Sequence, residues 1–192
     1  MHHSRFSASD RKLLDRHVEM ELGGTRSFGG RVIVGTQTLE QSLDIDADFL
    51  ITDLCPVDVL LQRLGRLHRN GRNKRPHGFS ILQAVIVVPS RRDLTPLVKA
   101  PRNGLGTSKQ GGIYEDLFAI EATWRLIEDN PEWHIPAMNR YLVEAVTHPD
   151  KRAELEAELC GKAAWAEHRG RIIGLWRGRS PPSGSSDHAA SS

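Results

Sequence analysis

The string Gln62-Arg63-Leu64-Gly65-Arg66-Leu67-His68-Arg69 holds the side chains best suited to chemistry in this chain. Pro56-Val57-Asp58 precedes it, and a proline followed by an acid favours a helix start. The spacing predicts a helix over 58–69. At about 100° per residue, Gln62, Arg66 and Arg69 then fall within roughly 60° of arc. Leu60, Leu64 and Leu67 face the opposite way. One side packs, and the other carries an amide and two guanidiniums. Two like charges three residues apart repel on a bare helix. A bound polyanion reverses that effect, because a guanidinium is planar, permanently charged and forks onto phosphate oxygens.

An arginine-rich helix face is by default a solvated surface. Two features point past that default. Gly65 in mid-helix costs about 1 kcal/mol relative to alanine, which a close backbone approach would explain. And no Asp or Glu occurs between Asp58 and Asp93, whereas Arg63, Arg66, Arg69, Arg72, Lys74, Arg75, Arg91 and Arg92 do. A purely solvated surface usually mixes its signs.

The elements that must position this string follow from the apolar pattern. Ser7 and Asp10 stand in capping-box spacing, Leu14, Val18 and Leu22 recur every four residues, and Gly23 follows: a helix of three to four turns. Gly23 to Gly30 is a glycine-rich loop without the pattern of a phosphate cradle. Arg31 to Gly35, Phe49 to Leu54 and Ser80 to Pro89 are short apolar runs that predict buried strands. The polar segment Thr36 to Asp46 follows the first of them, where open α/β sheets place ligand sites, though an ordinary strand-to-helix connection reads the same way. Strand, helix, strand at this spacing predicts an α/β fold with a parallel sheet. After Pro89 the composition changes. Residues 91–112 are a Pro/Gly-rich basic stretch, long for a compact domain, and read as a linker loop or a functional loop. Helices are expected over 114–129, with Leu117, Ile120, Trp124 and Ile127 in the apolar stripe, over 139–146, and over 151–176. Residues 178–192 are Ser/Pro/Gly-rich and predicted disordered.

Composition sets further limits. The chain has 192 residues, with 26 Lys+Arg against 24 Asp+Glu, so its net charge of +2 says little about partners. The distribution is more telling, basic in the middle and acidic from Glu115 to Glu158. Cys55 and Cys160 lie far apart without zinc-ligand spacing, which fits a reducing cytoplasm and leaves Cys55 as packing. No apolar run approaches membrane-spanning length, and no signal-peptide pattern opens the chain.

Two strings resemble a known family. Thr36-Gln-Thr-Leu-Glu-Gln-Ser-Leu-Asp-Ile-Asp46 resembles motif V of superfamily 2 helicases, and Gln62 to Arg69 resembles their motif VI. Asp53-Leu-Cys-Pro-Val-Asp58, the opening His3-Ser-Arg-Phe6 and Arg140 to Val146 narrow the resemblance to the CRISPR-associated helicase–nuclease of type I systems. It covers residues 2 to about 150. What it implies is part of a RecA-like second helicase lobe over 1–90, truncated at its N-terminal side, then the 91–112 linker, a helical C-terminal region over 113–177, and the tail.

The resemblance also implies roles. Arg66 and Arg69 would be arginine fingers toward ATP, stabilising charge that develops in phosphoryl transfer. Gln62 would set their geometry, Asp44 would accept a hydrogen bond from the ribose, and Arg63 is a weaker nucleotide contact, with Arg5 weaker still. Thr36 and Gln37 would contact the backbone of single-stranded DNA without reading its sequence. No Walker A lysine motif, acidic motif or paired His-Asp nuclease signature is found. ATP and Mg2+ would therefore be held largely by a first lobe outside this sequence, with no metal held here. Partners implied are that lobe, the nuclease domain and the CRISPR effector complex, without a membrane. Two other readings stay open: the C-terminal lobe of another superfamily 2 DNA or RNA helicase, and a non-catalytic nucleic-acid-binding remnant suggested by the basic block from Arg63 to Arg92.

Overall fold

The computed structural model describes residues 7–23, 29–36, 43–71 and 74–179. Helix α1 runs Ala8–Leu22, and Ser7 caps it by accepting the Asp10 N–H at 3.2 Å. Val18 points inward, where it packs with Leu43 and Ile45. Removing the cap with Ser7→Ala is expected to loosen α1 by about 1 kcal/mol. Amide exchange in the first turn of the helix would report it, and unchanged protection there would refute it.

Strand β1 (Leu50–Asp53) leads into helix α2 (Val57–Leu64) and then strand β2 (Ala84–Val87). The strands are parallel, with Leu50 opposite Ala84 and Asp53 opposite Val87. The expected strand–helix–strand unit is therefore present, and the fold is α/β followed by helices. Two features differ from the sequence reading. The strands are not covered on both sides: Ile51, Val85 and Val87 are exposed. And 31–35 forms no strand, with Val32 91% exposed. An apolar run becomes a strand only where a neighbour takes up its N–H and C=O groups. Among the described residues, β1 and β2 make the sheet by themselves.

Helix α2 buries Val57 against Leu126 of α4 (Leu117–Asp129) and against Leu142 and Val146 of α5 (Asn139–Thr147). Cys55 and Leu60 are fully buried beside it. The stretch expected as a linker is ordered chain. It holds the short helix α3 (Thr95–Lys99) and a 3₁₀ turn at Ser108–Gln110, and it buries Leu94, Leu97, Val98 and Leu105. Gly106, at φ +109°, sits where an added Cβ would lie 2.8 Å from the Leu97 carbonyl oxygen, so only glycine fits.

The long helix expected over 151–176 is two helices, α6 (Pro149–Leu159) and α7 (Ala163–Arg179), parted at Cys160-Gly161-Lys162. Pro149 stands at the first position of α6, and the His148 side chain caps it by accepting the Asp150 N–H at 3.3 Å. Phe118, Trp165 and His168 form an aromatic cluster with centroids 5.0 to 5.9 Å apart. Arg152 stacks on Phe118 and bonds Asp116 at 2.7 Å.

The described residues fall into two compact units, and these do not follow chain order. Residues up to Arg92 group with Ala119–Thr147, and Asp93–Phe118 groups with the residues from His148 on.

Candidate nucleotide-facing site

The site begins with α1. Leu43 and Ile45 are buried against Val18 and Leu22, and the Asp46 N–H donates to the Leu22 carbonyl at 2.8 Å. Alternation then turns Asp44 outward, with its side chain 73% exposed. Its N–H donates to the Glu19 carboxylate at 3.4 Å. The polar segment is thus fastened at its apolar positions and presents its acid to solvent.

The basic string is arranged differently from the expectation. The helix ends at Leu64 rather than running to Arg69. Gly65 is its C-cap, and the Arg66 and Leu67 N–H groups bond three residues back, which tightens the last turn. The chain then lies beside residues 46–48. The Ala47 N–H donates to the Arg66 carbonyl at 2.8 Å, and the His68 N–H donates to the Ala47 carbonyl at 3.0 Å, a parallel bridge of Ala47 with Leu67. His68 takes φ +46° and its ring meets the Asp48 carbonyl at 3.3 Å. These bonds use the groups that helix continuation would need, and so the helix unwinds. Gln62, Arg66 and Arg69 therefore do not share a helix face.

Arg66 and Arg69 converge on the polar segment by another route. Arg66 Nη1 donates to the Leu43 carbonyl at 2.6 Å, and Arg69 Nε pairs with Asp44 Oδ1 at 3.2 Å. Burial lowers the Arg66 pKa, Arg69 lowers it further, and Asp44 opposes both. Asp44, Arg66 and Arg69 are thus brought together from strings more than 20 residues apart. Gln62 stays exposed on α2, and Thr36 is exposed. Gln37 lies outside the described residues, as does Arg5. Arg63 turns back to β1, where its guanidinium donates to Thr52 Oγ1 and to the Asp53 carbonyl at 3.3 Å. That tie joins α2 to the sheet and leaves Arg63 less suited to a nucleotide than expected.

The basic block is also less open than its composition implied. Arg75 bonds Asp46 and Asp48. Arg92 forks onto Glu121 at 2.8 and 3.1 Å, reaches Glu128 at 2.9 Å, and lies 4.1 Å above the Trp124 ring. Burial would raise the Glu121 pKa, but hydrogen bonds from Arg92 and Arg125 outweigh it and hold the carboxylate ionised. These partners lie outside the acid-free stretch, so the sequence hid them.

A small parallel strand–helix–strand unit followed by helices is the architecture of part of a RecA-like lobe. The family model for the CRISPR-associated nuclease/helicase Cas3, C-terminal, matches residues 1–72. The CRISPR-associated endonuclease/helicase Cas3 of Escherichia coli (strain K12) is 40% identical over 129 residues, covering 66% of this chain and 13% of the relative. The crystal structure of T. fusca Cas3-ADP superposes with a TM-score of 0.65 at 27% identity, covering 94% of this chain and 20% of that one. A CRISPR RNA-guided surveillance complex, pre-nicking, contains a chain matched with a TM-score of 0.62 at 27% identity, over 94% of this chain and 21% of that one. The chain belongs to the CRISPR-associated nuclease/helicase Cas3 family and corresponds to its C-terminal part. It spans about an eighth of the length of the E. coli relative. No described helix is long and apolar enough to cross a membrane.

Proposed function

We propose that this chain supplies part of the ATP site and of the DNA track of an ATP-dependent single-stranded-DNA helicase acting in CRISPR antiviral defence in the cytoplasm. The observation that carries the reading is the meeting of Asp44, Arg66 and Arg69. The donor set fits a nucleotide: two guanidiniums suit phosphate oxygens, and an exposed carboxylate suits a ribose hydroxyl. When bound, ATP supplies the phosphoanhydride that is cleaved. Arg66 and Arg69 stabilise the charge that builds on the transferring phosphoryl group, Asp44 orients the sugar, and Gln62 supports from α2. Mg2+ falls to residues of a first helicase lobe. Thr36 and Gln37 contact DNA phosphates, a sequence-blind grip suited to a motor. The nuclease domain and the effector complex are further partners.

The non-catalytic binding reading is disfavoured because Arg75 and Arg92 are engaged by carboxylates of this chain. The test is a hybrid in which this chain replaces the matching stretch of the E. coli relative. DNA-stimulated ATP turnover is expected, with Asp44→Asn raising the KM for ATP about tenfold through loss of one hydrogen bond to a charged group. A folded hybrid with no ATP turnover, beside an active parent, would sink the proposal.

A further inference from the structure

Arg75 stands beyond both helicase-like strings, in a loop that composition alone assigns to solvent. Its side chain is nevertheless 10% exposed. One guanidinium nitrogen, Nη2, donates to Asp46 Oδ1 at 2.7 Å and to the Asn70 carbonyl at 3.0 Å, and the other, Nη1, donates to Asp48 Oδ1 at 3.0 Å. Asp46 is 2% exposed, and the same Oδ1 also accepts the Asn70 N–H at 3.1 Å. Asn70 is therefore fixed at both its N–H and its C=O, one residue after Arg69. Asp46 is fixed two residues after Asp44. Burying a carboxylate is costly unless it is paired and hydrogen-bonded, and Arg75 and the Asn70 N–H both donate to Asp46.

The two strings also touch through the Ala47 bridge, the Arg66 bond to the Leu43 carbonyl, the His68 ring at the Asp48 carbonyl and the exposed Arg69–Asp44 pair. An exposed pair orders little by itself. The buried three-way fork is the stiffer tie, because a planar guanidinium reaches separate acceptors in a fixed geometry that an ammonium does not reproduce. We infer that Arg75 is a positioning residue, which holds the Asp44 and Arg69 segments in register by bridging Asp46, Asp48 and the Asn70 carbonyl. The inference rests on the nucleotide reading of Asp44 and Arg69. Arg75 itself is spent on its own carboxylates and need not touch ATP.

Two measurements test this. In this chain, Arg75→Gln is expected to speed amide exchange at Ala47, His68 and Asn70 at least about tenfold, with α5 unchanged, as a local rather than global opening. In the E. coli hybrid it is expected to lower kcat about 10²-fold with little change in the KM for ATP, the cost of misplacing groups by an ångström. Arg75→Lys, which keeps the charge and loses the fork, falls between. Should Arg75→Gln not fold, Arg75→Lys and Asp48→Asn, which leave most of the network, carry the test. The inference is overturned if both fold with wild-type exchange and wild-type kcat while Arg69→Ala abolishes turnover. If Arg69→Ala is itself without effect, the nucleotide reading fails first and this inference falls with it.

Discussion

Lowering the pH from 7 to 4 is expected to remove about 3 kcal/mol of stability from the unit built around Trp165, through one imidazole. His168 is 2% exposed and packs on Phe118 and Trp165. Its Nε2 accepts the Leu117 N–H at 3.1 Å, at the start of α4. Burial pulls its pKa down to about 4, and the neighbouring Arg171 pulls the same way. Arg152 also lowers it, while Asp116 and Glu156 oppose. The sign follows. Between the ordinary pKa of 6.5 and the folded value near 4, the unfolded chain takes up a proton that the folded chain refuses. Stability is therefore complete above pH 6.5 and is lost progressively as pH falls toward 4. Protonation would also destroy the acceptor for the Leu117 N–H. Denaturant titration followed by tryptophan fluorescence measures this. His168→Gln retains an acceptor and removes the titration, so its stability is expected to fall less steeply over the same range. Equal slopes in the two proteins would refute the assignment.

Replacing Arg69 by alanine in the E. coli hybrid is expected to lower ATP turnover about 10³-fold, the lower end of what an arginine finger supplies. Arg66→Ala is expected to act similarly. The two should separate in stability. The Arg69 pair with Asp44 is exposed and contributes at most about 1 kcal/mol, so thermal unfolding should move by less than about 4 °C. Arg66 is half-buried and bonds the Leu43 carbonyl at 2.6 Å, so its loss should also loosen residues 43–47. Full turnover in both variants would mean that neither guanidinium reaches the phosphates.

Much of this was legible in the residues. The strand–helix–strand order, the N-cap at Ser7 and the separation of α5 from α6 at His148-Pro149 follow from local patterns, and all are present. The extent of α2 was not legible. Leucines at helical spacing run on through Leu67, but the backbone of 66–68 is claimed by Ala47, some twenty residues upstream, and a contact at that distance leaves no periodic trace. Gly65 is odd for a mid-helix position because it is not one: it stands where the helix stops, and no close backbone approach is needed to explain it. The same limit hid Arg75. A run of basic residues looks solvated until the carboxylates that face it are known, and Asp46 and Asp48 lie in a different string. Residues 91–112 are ambiguous in the same way, because glycine and proline mark both loose chain and tight turns, and Gly106 belongs to the second kind.

The interleaving of the two units has a practical consequence for anyone cutting this polypeptide. A stop after Arg92 would keep β1, α2 and β2 but strip away Leu126, Leu142 and Val146, which shield Val57. Carrying the chain on to Thr147 restores them, yet drags along 93–118, severed from its own companions. Neither half can be shuffled between relatives as a cassette with one junction. Recombination that respects this architecture has to move both halves together.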